Sequence, residues 1–334
     1  MRMIVIGDIH IKNKHHERSI ALVDDIINNV KTDKPDSVML LGDVLDGADI
    51  IHSNCLLQLS RLLIEISSVC PVYVIMGNHD ASTPHIEMPE NHALQCFKSL
   101  GSRHVHIIDT PSVIDPGLGS KMLIMPYLPP GTFMKHIGEH TNVKLVFAHQ
   151  EFEGCVFDGG NKSEHGDPIP TEFNIISGHI HAEQKIKNLW YPGTPTQTRF
   201  GESDNKGYFL IDIDEVTMDY KVLKKIVPNV SKFTSVNYKI GQKIKDLKII
   251  QGDVNRAVIS ATPSEILAFK KSKEYVEVIN VFNGNVKFNV LKDESIQISQ
   301  SNDSVSVRKS FIDSLSVKAK ELGLEELLEE SLRK

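Results

Sequence analysis

Five apolar runs spread over the first two-thirds of the chain each end in a small residue, followed at once by groups that bind cations or protons. The runs are Met3-Ile4-Val5-Ile6, Val38-Met39-Leu40-Leu41, Val72-Tyr73-Val74-Ile75-Met76, Val143-Lys144-Leu145-Val146-Phe147 and Asn174-Ile175-Ile176. Their continuations are Gly7-Asp8-Ile9-His10, Gly42-Asp43, Gly77-Asn78-His79-Asp80, Ala148-His149 and Gly178-His179-Ile180-His181. Short, nearly unbroken apolar runs suit strands buried on both faces. Open α/β sheets place ligands beyond the carboxyl ends of their strands. The polar continuations are therefore expected to converge at one end of a sheet.

The residue types suit a pair of divalent cations. Asp8, His10, Asp43, Asn78, His149, His179 and His181 offer two carboxylates, one amide oxygen and four imidazoles. Mixed oxygen and nitrogen donors without thiolate favour Mn²⁺, Fe²⁺ or Zn²⁺ over Ca²⁺. These donors are too many for one tetrahedral ion, whereas a carboxylate can bridge two ions roughly 3.5–4 Å apart. Asp43 is the expected bridge, because Gly42 lets the turn pass close to the ions. Such a pair acidifies a shared water to hydroxide near neutral pH and neutralises phosphoryl oxygens during in-line attack. His79 directly follows a donor, so its ring is expected to point elsewhere and assist the leaving oxygen or the transition state.

This series resembles the calcineurin-like metallophosphoesterases, whose motifs are D-x-H, GD, GNH[DE], H and GHxH. The resemblance implies that Asp8, His10, Asp43 and His181 hold one metal, and that Asp43, Asn78, His149 and His179 hold the other. It makes His79 the catalytic histidine. Trp190-Tyr191-Pro192-Gly193-Thr194-Pro195 and Thr198-Arg199-Phe200-Gly201-Glu202 resemble a segment of SbcD-type DNA exonucleases. The stretches Ala148–Gly154 and Gly160–Gly166 are similar to the shorter phage recombination nuclease subunits. That likeness implies Mn²⁺-dependent exo- or endonucleolytic cleavage of DNA in recombination, repair or replication. It also implies a homodimer and an SbcC-type ABC ATPase partner with a long coiled coil. Asp46 stands where many cellular SbcD-like enzymes carry His; here it is expected to orient a ligand.

Composition bounds the reading. With 334 residues, 40% hydrophobic and 24% charged, the chain is ordinary for a soluble protein and long enough for two domains. It holds no apolar run long enough to span a bilayer and opens on a strand pattern rather than a signal peptide, so an intracellular, cytoplasmic location beside DNA is expected. Its four cysteines lack Cys-x-x-Cys spacing, and Cys70 and Cys96 are expected to be core thiols. The formal net charge of −6 argues against a protein that coats DNA unaided. The segment Lys12 to Arg18 is nonetheless basic and follows the first metal motif.

Helical periodicity falls at His15–Val30, Ile50–Val69 and Asn91–Leu100, which with the strands opens as β-α-β. From about Met122 the strands become denser, as a second packed sheet requires, and Tyr208–Asp212 with Val216–Leu223 reads as a closing hairpin. The fold class is therefore α/β: a two-sheet sandwich flanked by helices over 1–228. A small α/β module over 233–295 follows, similar to a capping domain. Within it Ala257–Ser260, Val276–Val281 and Asn285–Val290 read as strands, and Thr262–Lys273 as a helix. Residues 296–306 have linker composition, and 307–334 form an amphipathic helical tail expected to dock the ATPase.

Two rival readings remain. A small-molecule or nucleotide phosphodiesterase of the same superfamily would not need the module after residue 228 or the tail. A non-enzymatic scaffold would not need the complete donor set.

Overall fold

The computed structural model describes residues 1–99, 103–115, 120–138 and 140–291. Its strands and helices run β1 (Arg2–Ile6), α1 (His16–Asp33), β2 (Ser37–Leu40), α2 (Ser53–Ser67), β3 (Val72–Ile75), α3 (Gln95–Ser99) and β4 (Val105–Ile108). Then come β5 (Ser112–Ile114), β6 (Lys121–Ile124), α4 (Phe133–Ile137), β7 (Val143–His149), β8 (Asn174–Gly178), β9 (Gln184–Ile186) and β10 (Leu189–Tyr191). The rest are β11 (Tyr208–Ile213), β12 (Tyr220–Ile226), β13 (Phe233–Asn237), β14 (Val254–Ala261), α5 (Pro263–Lys270), α6 (Lys273–Val281) and β15 (Val286–Val290).

Two six-stranded sheets carry the fold, in the orders β12-β11-β1-β2-β3-β4 and β5-β6-β7-β8-β10-β9. Strands β1 to β4 are parallel neighbours, and the hairpin β11–β12 joins antiparallel to β1. In the second sheet β6, β7, β8 and β10 are parallel, with antiparallel β5 and β9 at the edges. Successive side chains of a strand face opposite ways. Met3, Val5, Met39 and Leu41 accordingly pack against Ile124, Leu145, Phe147 and Trp190 between the sheets. Ile4, Ile6, Val38 and Leu40 pack on the other face against Leu22, Val23 and Ile26 of α1 and Leu59, Leu62 and Leu63 of α2. Burial on both faces is why the runs read as unbroken apolar sequence. Each such side chain contributes about 1.5–3 kcal/mol.

The five motif-bearing strands are not in one sheet, as the alternation-free runs led us to expect. Three lie in the first sheet and two in the second, so their carboxyl ends meet across the sandwich. Periodicity reports burial, which both sheets share, and says nothing about which sheet a run joins.

The described residues divide into two compact units, Met1–Ile259 with Lys273–Lys287, and Ser260–Ser272 with Phe288–Leu291. In the first unit β13 runs parallel to β14. In the second unit α5 begins with a full capping box between Thr262 and Glu265 and Pro263 in its first turn. Residues 276–281 form helix α6, not the strand their β-branched residues suggest. Only Val278 is buried there while Val276 and Val281 are exposed, a one-sided helical pattern that overrides β propensity. Cys70 is buried as expected, but Cys96 is exposed on α3. No described helix is long and apolar enough to cross a membrane. The linker 296–306 and the tail 307–334 lie outside the described residues.

Candidate metal centre

All seven predicted donors and His79 come together at the carboxyl ends of β1, β2, β3, β7 and β8. Three of the donor residues have positive φ: His10 at 46°, Asp43 at 47° and His179 at 82°. Such conformations cost of order 1–3 kcal/mol each and concentrate at functional sites. Gly42, at φ 98°, makes the turn before Asp43, and a Cβ there would run into the His149 imidazole.

Asp8, fully buried, accepts through Oδ1 from the His179 backbone N–H at 2.9 Å, while its Oδ2 has no hydrogen-bond partner. His10 and His181 present Nε2 to Nε2 at 3.1 Å, and His10 Nε2 lies 3.8 Å from Asp43 Oδ2. Asp8, His10 and His181 therefore form one cluster of donor atoms within 4.8 Å of each other. Asp8, Asp43 and His149 form a second. Asn78 extends it: its Oδ1 is 3.0 Å from His149 Nε2 and 2.9 Å from His179 Nδ1.

These contacts test whether divalent cations fit. His149 Nδ1 donates to the Leu41 carbonyl at 2.7 Å, which leaves Nε2 bare in the neutral ring. That bare nitrogen faces Asn78 Oδ1 and, at 3.4 Å, Asp43 Oδ2. Acceptors that converge on acceptors need a proton or a cation between them. Without a cation the proton is retained: burial opposes charge on His149, but Asp43 and Asp8 outweigh it and pull its pKa up to about 9. Burial likewise pushes Asp43 up, yet His149, His10 and His79 hold it far below the carboxylate range. Burial raises Asp8 and drives His10 well down. The unpartnered Asp8 Oδ2 and the facing imidazoles suit the donor preferences of Mn²⁺, Fe²⁺ or Zn²⁺.

His79, exposed, meets the His10 ring edge-on with centroids 5.0 Å apart and sets Nδ1 2.9 Å from the Asp46 backbone oxygen; His10, Asp46 and His79 bring potential ligand atoms within 4.8 Å of one another. Its backbone N–H donates to Asp43 Oδ1 at 2.8 Å. Asp46 also sets an Oδ1 at 3.5 Å from His10 Nδ1, longer than an ordinary hydrogen bond, and pairs with Lys12 Nζ at 2.8 Å.

Sequence reasoning passed over several supporting residues. Asp80, fully buried, accepts from the Gly77 N–H at 3.0 Å and the Leu45 N–H at 3.1 Å, so it ties the turn after β3 to the turn after β2. Burial, reinforced by Asp43, pushes its carboxyl up to about 7. Its place inside the Gly77–Asp80 motif was the available signal. Glu202 and Asp158 approach His181 Nδ1 at 4.0 and 3.9 Å. Lys206 Nζ donates to the His181 carbonyl at 2.7 Å. Tyr127 lays its ring 5.8 Å from that of His179, and nothing local in its sequence marks it.

The segment after β10 is built against these histidines. Tyr191 Oη donates to the Gln150 carbonyl and accepts from the Phe152 N–H, both at 3.0 Å, and so holds the chain that follows His149. Thr194 N–H donates to the His181 carbonyl at 3.1 Å.

Comparison with known proteins gives the family. A protein of Invertebrate iridescent virus 6, named "Putative phosphoesterase 244L", is 29% identical over 286 residues, 81% of this chain and 98% of its own. One of Invertebrate iridescent virus 3, named "Putative phosphoesterase 078R", is 28% identical over 339 residues, 93% of this chain and 96% of its own. Among solved structures, Yfce, a phosphoesterase from E. coli, aligns with 69% of this chain and all of its own at 14% identity. The TM-score is 0.33, too loose a superposition to add weight. The profile of the Calcineurin-like phosphoesterase family matches residues 1–183 and so takes in every donor named above, and with more than half its length inside that match the chain belongs to this family of phosphoester hydrolases.

Proposed function

We propose that the protein is a DNA nuclease, cleaving phosphodiester bonds with two Mn²⁺ ions. The observation that carries this reading is a cleft of about 240 Å³ that opens beside His10 and Asp46 and is lined by Lys12, Lys14, Arg18 and Arg199. The chain as a whole is acidic, so a basic cleft at its metal centre is a local arrangement that draws in a polyanion. A small phosphodiester carries a single charge and would engage only part of it.

Asp8, His10, Asp43 and His181 would hold one ion, and Asp43, Asn78, His149 and His179 the other. Bound there, divalent ions supply Lewis acidity at the phosphoryl oxygens and acidify water. The chain's own groups do the rest. Asp43, kept ionised, is the carboxylate the resemblance gives to both ions: its Oδ2 lies 3.4 Å from His149 Nε2 and 3.8 Å from His10 Nε2, while Asp8 is common to the two donor clusters. His79 donates Nδ1–H to the Asp46 carbonyl, so its neutral ring presents a bare Nε2 and only the imidazolium offers Nε2–H to a departing oxygen.

Degradation of end-labelled blunt duplex DNA with Mn²⁺, beside Asp43→Ala, tests the reading. Cutting lost in the variant supports it. A wild-type protein that hydrolyses bis(p-nitrophenyl) phosphate but leaves DNA intact, alone and with its ATPase, overturns it. The resemblance to SbcD-type subunits extends the proposal to a homodimer that docks an SbcC-type ATPase through residues 307–334. Truncation after residue 306 should then keep small-ester hydrolysis and lose ATPase association.

A further inference from the structure

We infer that the cleft beside His10 is a second phosphate site, one that takes the backbone phosphate next to the one being cut. The inference rests on the nuclease reading and deepens it. It begins with Arg18. This side chain lines the cleft and is nine-tenths buried, yet its Nη1 has no hydrogen-bond partner. Its Nη2 donates to the Gln197 carbonyl at 2.7 Å, and the guanidinium lies over the Phe233 ring, 4.2 Å from the centroid. A buried guanidinium ordinarily meets a carboxylate. Here burial pulls its pKa down to about 10, and the two carboxylates whose charge opposes that, Asp253 and Glu202, are engaged elsewhere. Asp253 accepts from the Lys232 N–H and the Thr234 hydroxyl. Glu202 accepts from the N–H and hydroxyl of Thr198. Among the described residues Arg18 makes no ion pair.

A second feature points the same way. Arg18 sits in the first turn of α1, an 18-residue helix whose N-cap, His15, makes no side-chain cap. The N-terminus of a helix of that length attracts anions through its dipole and free N–H groups. His15 and Ser19 of this terminus also line the cleft, whereas Glu17 does not. Of the other cations there, Lys12 is paired with Asp46 and Arg199 with Glu202. Lys14 has no carboxylate partner among the described residues. The cleft thus holds two uncompensated cations and an open helix end beside a donor cluster that already receives one phosphate. A phosphodiester chain carries its charges in series and satisfies both places at once. A ligand with a single phosphate fills only the metal centre.

The test uses full-length protein loaded with Mn²⁺ and follows hydrolysis of bis(p-nitrophenyl) phosphate. Thymidine 5′-phosphate, with one phosphate, and the dinucleotide pTpT, with two, are added as competitors. For the wild type, pTpT should compete at least about tenfold more tightly, through charge-assisted contacts that thymidine 5′-phosphate cannot make. In Arg18→Gln this ratio should fall below about threefold. Because the ratio is taken within each protein, a general loss of activity cancels. Should Arg18→Gln be inactive, Lys14→Gln at an exposed position must lower the same ratio. Equal competition by the two ligands in the wild type, or an unchanged ratio in the variants, overturns the inference. The nuclease reading fails separately, through intact duplex DNA.

Discussion

The Nε2 atoms of His10 and His181 face each other at 3.1 Å across 171 residues of chain. Each nitrogen has a lone pair or a proton to offer, and two protonated rings at this distance would repel. A shared cation, with Asp8 Oδ2 bare beside them, resolves the contact. Activity should therefore vanish with a strong chelator and return on adding Mn²⁺. Ion binding to the folded state alone also adds stability, about 2.7 kcal/mol at a hundredfold excess over Kd. A thermal unfolding curve with and without Mn²⁺ reads this as a higher Tm for the loaded protein.

Asp43→Asn removes the charge whose Oδ2 lies between His10 of one donor cluster and His149 of the other. We expect kcat to fall by about a hundredfold or more, with metal content reduced by at least one ion, as measured by hydrolysis of bis(p-nitrophenyl) phosphate and elemental analysis. Full activity in this variant would dismiss the two-cluster assignment.

His79→Ala separates chemistry from metal binding. The ring is held by the Asp46 backbone carbonyl and rests edge-on against His10 but is not one of the seven donors, so the variant should keep its ions and lose turnover by about 10²–10⁴-fold. Loss of metal together with turnover would make His79 a structural residue.

Gly42→Ala tests how tightly the turn after β2 is packed. The positive φ and the collision with His149 together predict a loss of about 2 kcal/mol or more in urea unfolding, with activity lost alongside. An active, stable variant would show that the turn relaxes freely.

Asp109 supplies a pH test away from the metals. Burial opposes its charge, but hydrogen bonds from His92 at 3.1 Å and Lys98 at 2.7 Å outweigh this and hold its pKa at about 2, below its ordinary 3.8. A carboxyl with a depressed folded-state pKa contributes stability above its unfolded value and loses it as pH falls through the folded one. Asp109→Asn should therefore cost about 2 kcal/mol at pH 7, and the gap to wild type should close between about pH 4 and pH 2. A gap independent of pH would assign the loss to packing.

The donor set was legible because Asp8, Asp43, Asn78, His149 and His179 lie at or just after the ends of buried strands, with His10 and His181 two residues beyond two of them, so one-dimensional spacing carried three-dimensional placement. Which sheet each strand joins was not legible, since Ile4 and Ile175 are equally apolar whichever partner covers them. Asp80 was visible in its motif but not its duty, because its hydrogen bonds to Leu45 and Gly77 depend on how two turns approach. Arg18 read as part of a basic loop leading into a helix. Its burial depends on Phe233, which no local pattern links to it. Residues 276–281 misled because β-branched side chains favour strands only where a sheet edge awaits them.

The split of the motif strands between two sheets has a consequence for the life of the chain. Asp8, His10, Asp43 and Asn78 hang from one sheet, and His149, His179 and His181 from the other, so neither sheet alone owns a working centre. A nascent or partly unfolded copy has its donors divided between separate pieces, so hydrolysis is expected only after both sheets have formed and met. Ions bound by both sets of donors would rivet the closed sheets together, and the same act that completes folding would arm the enzyme.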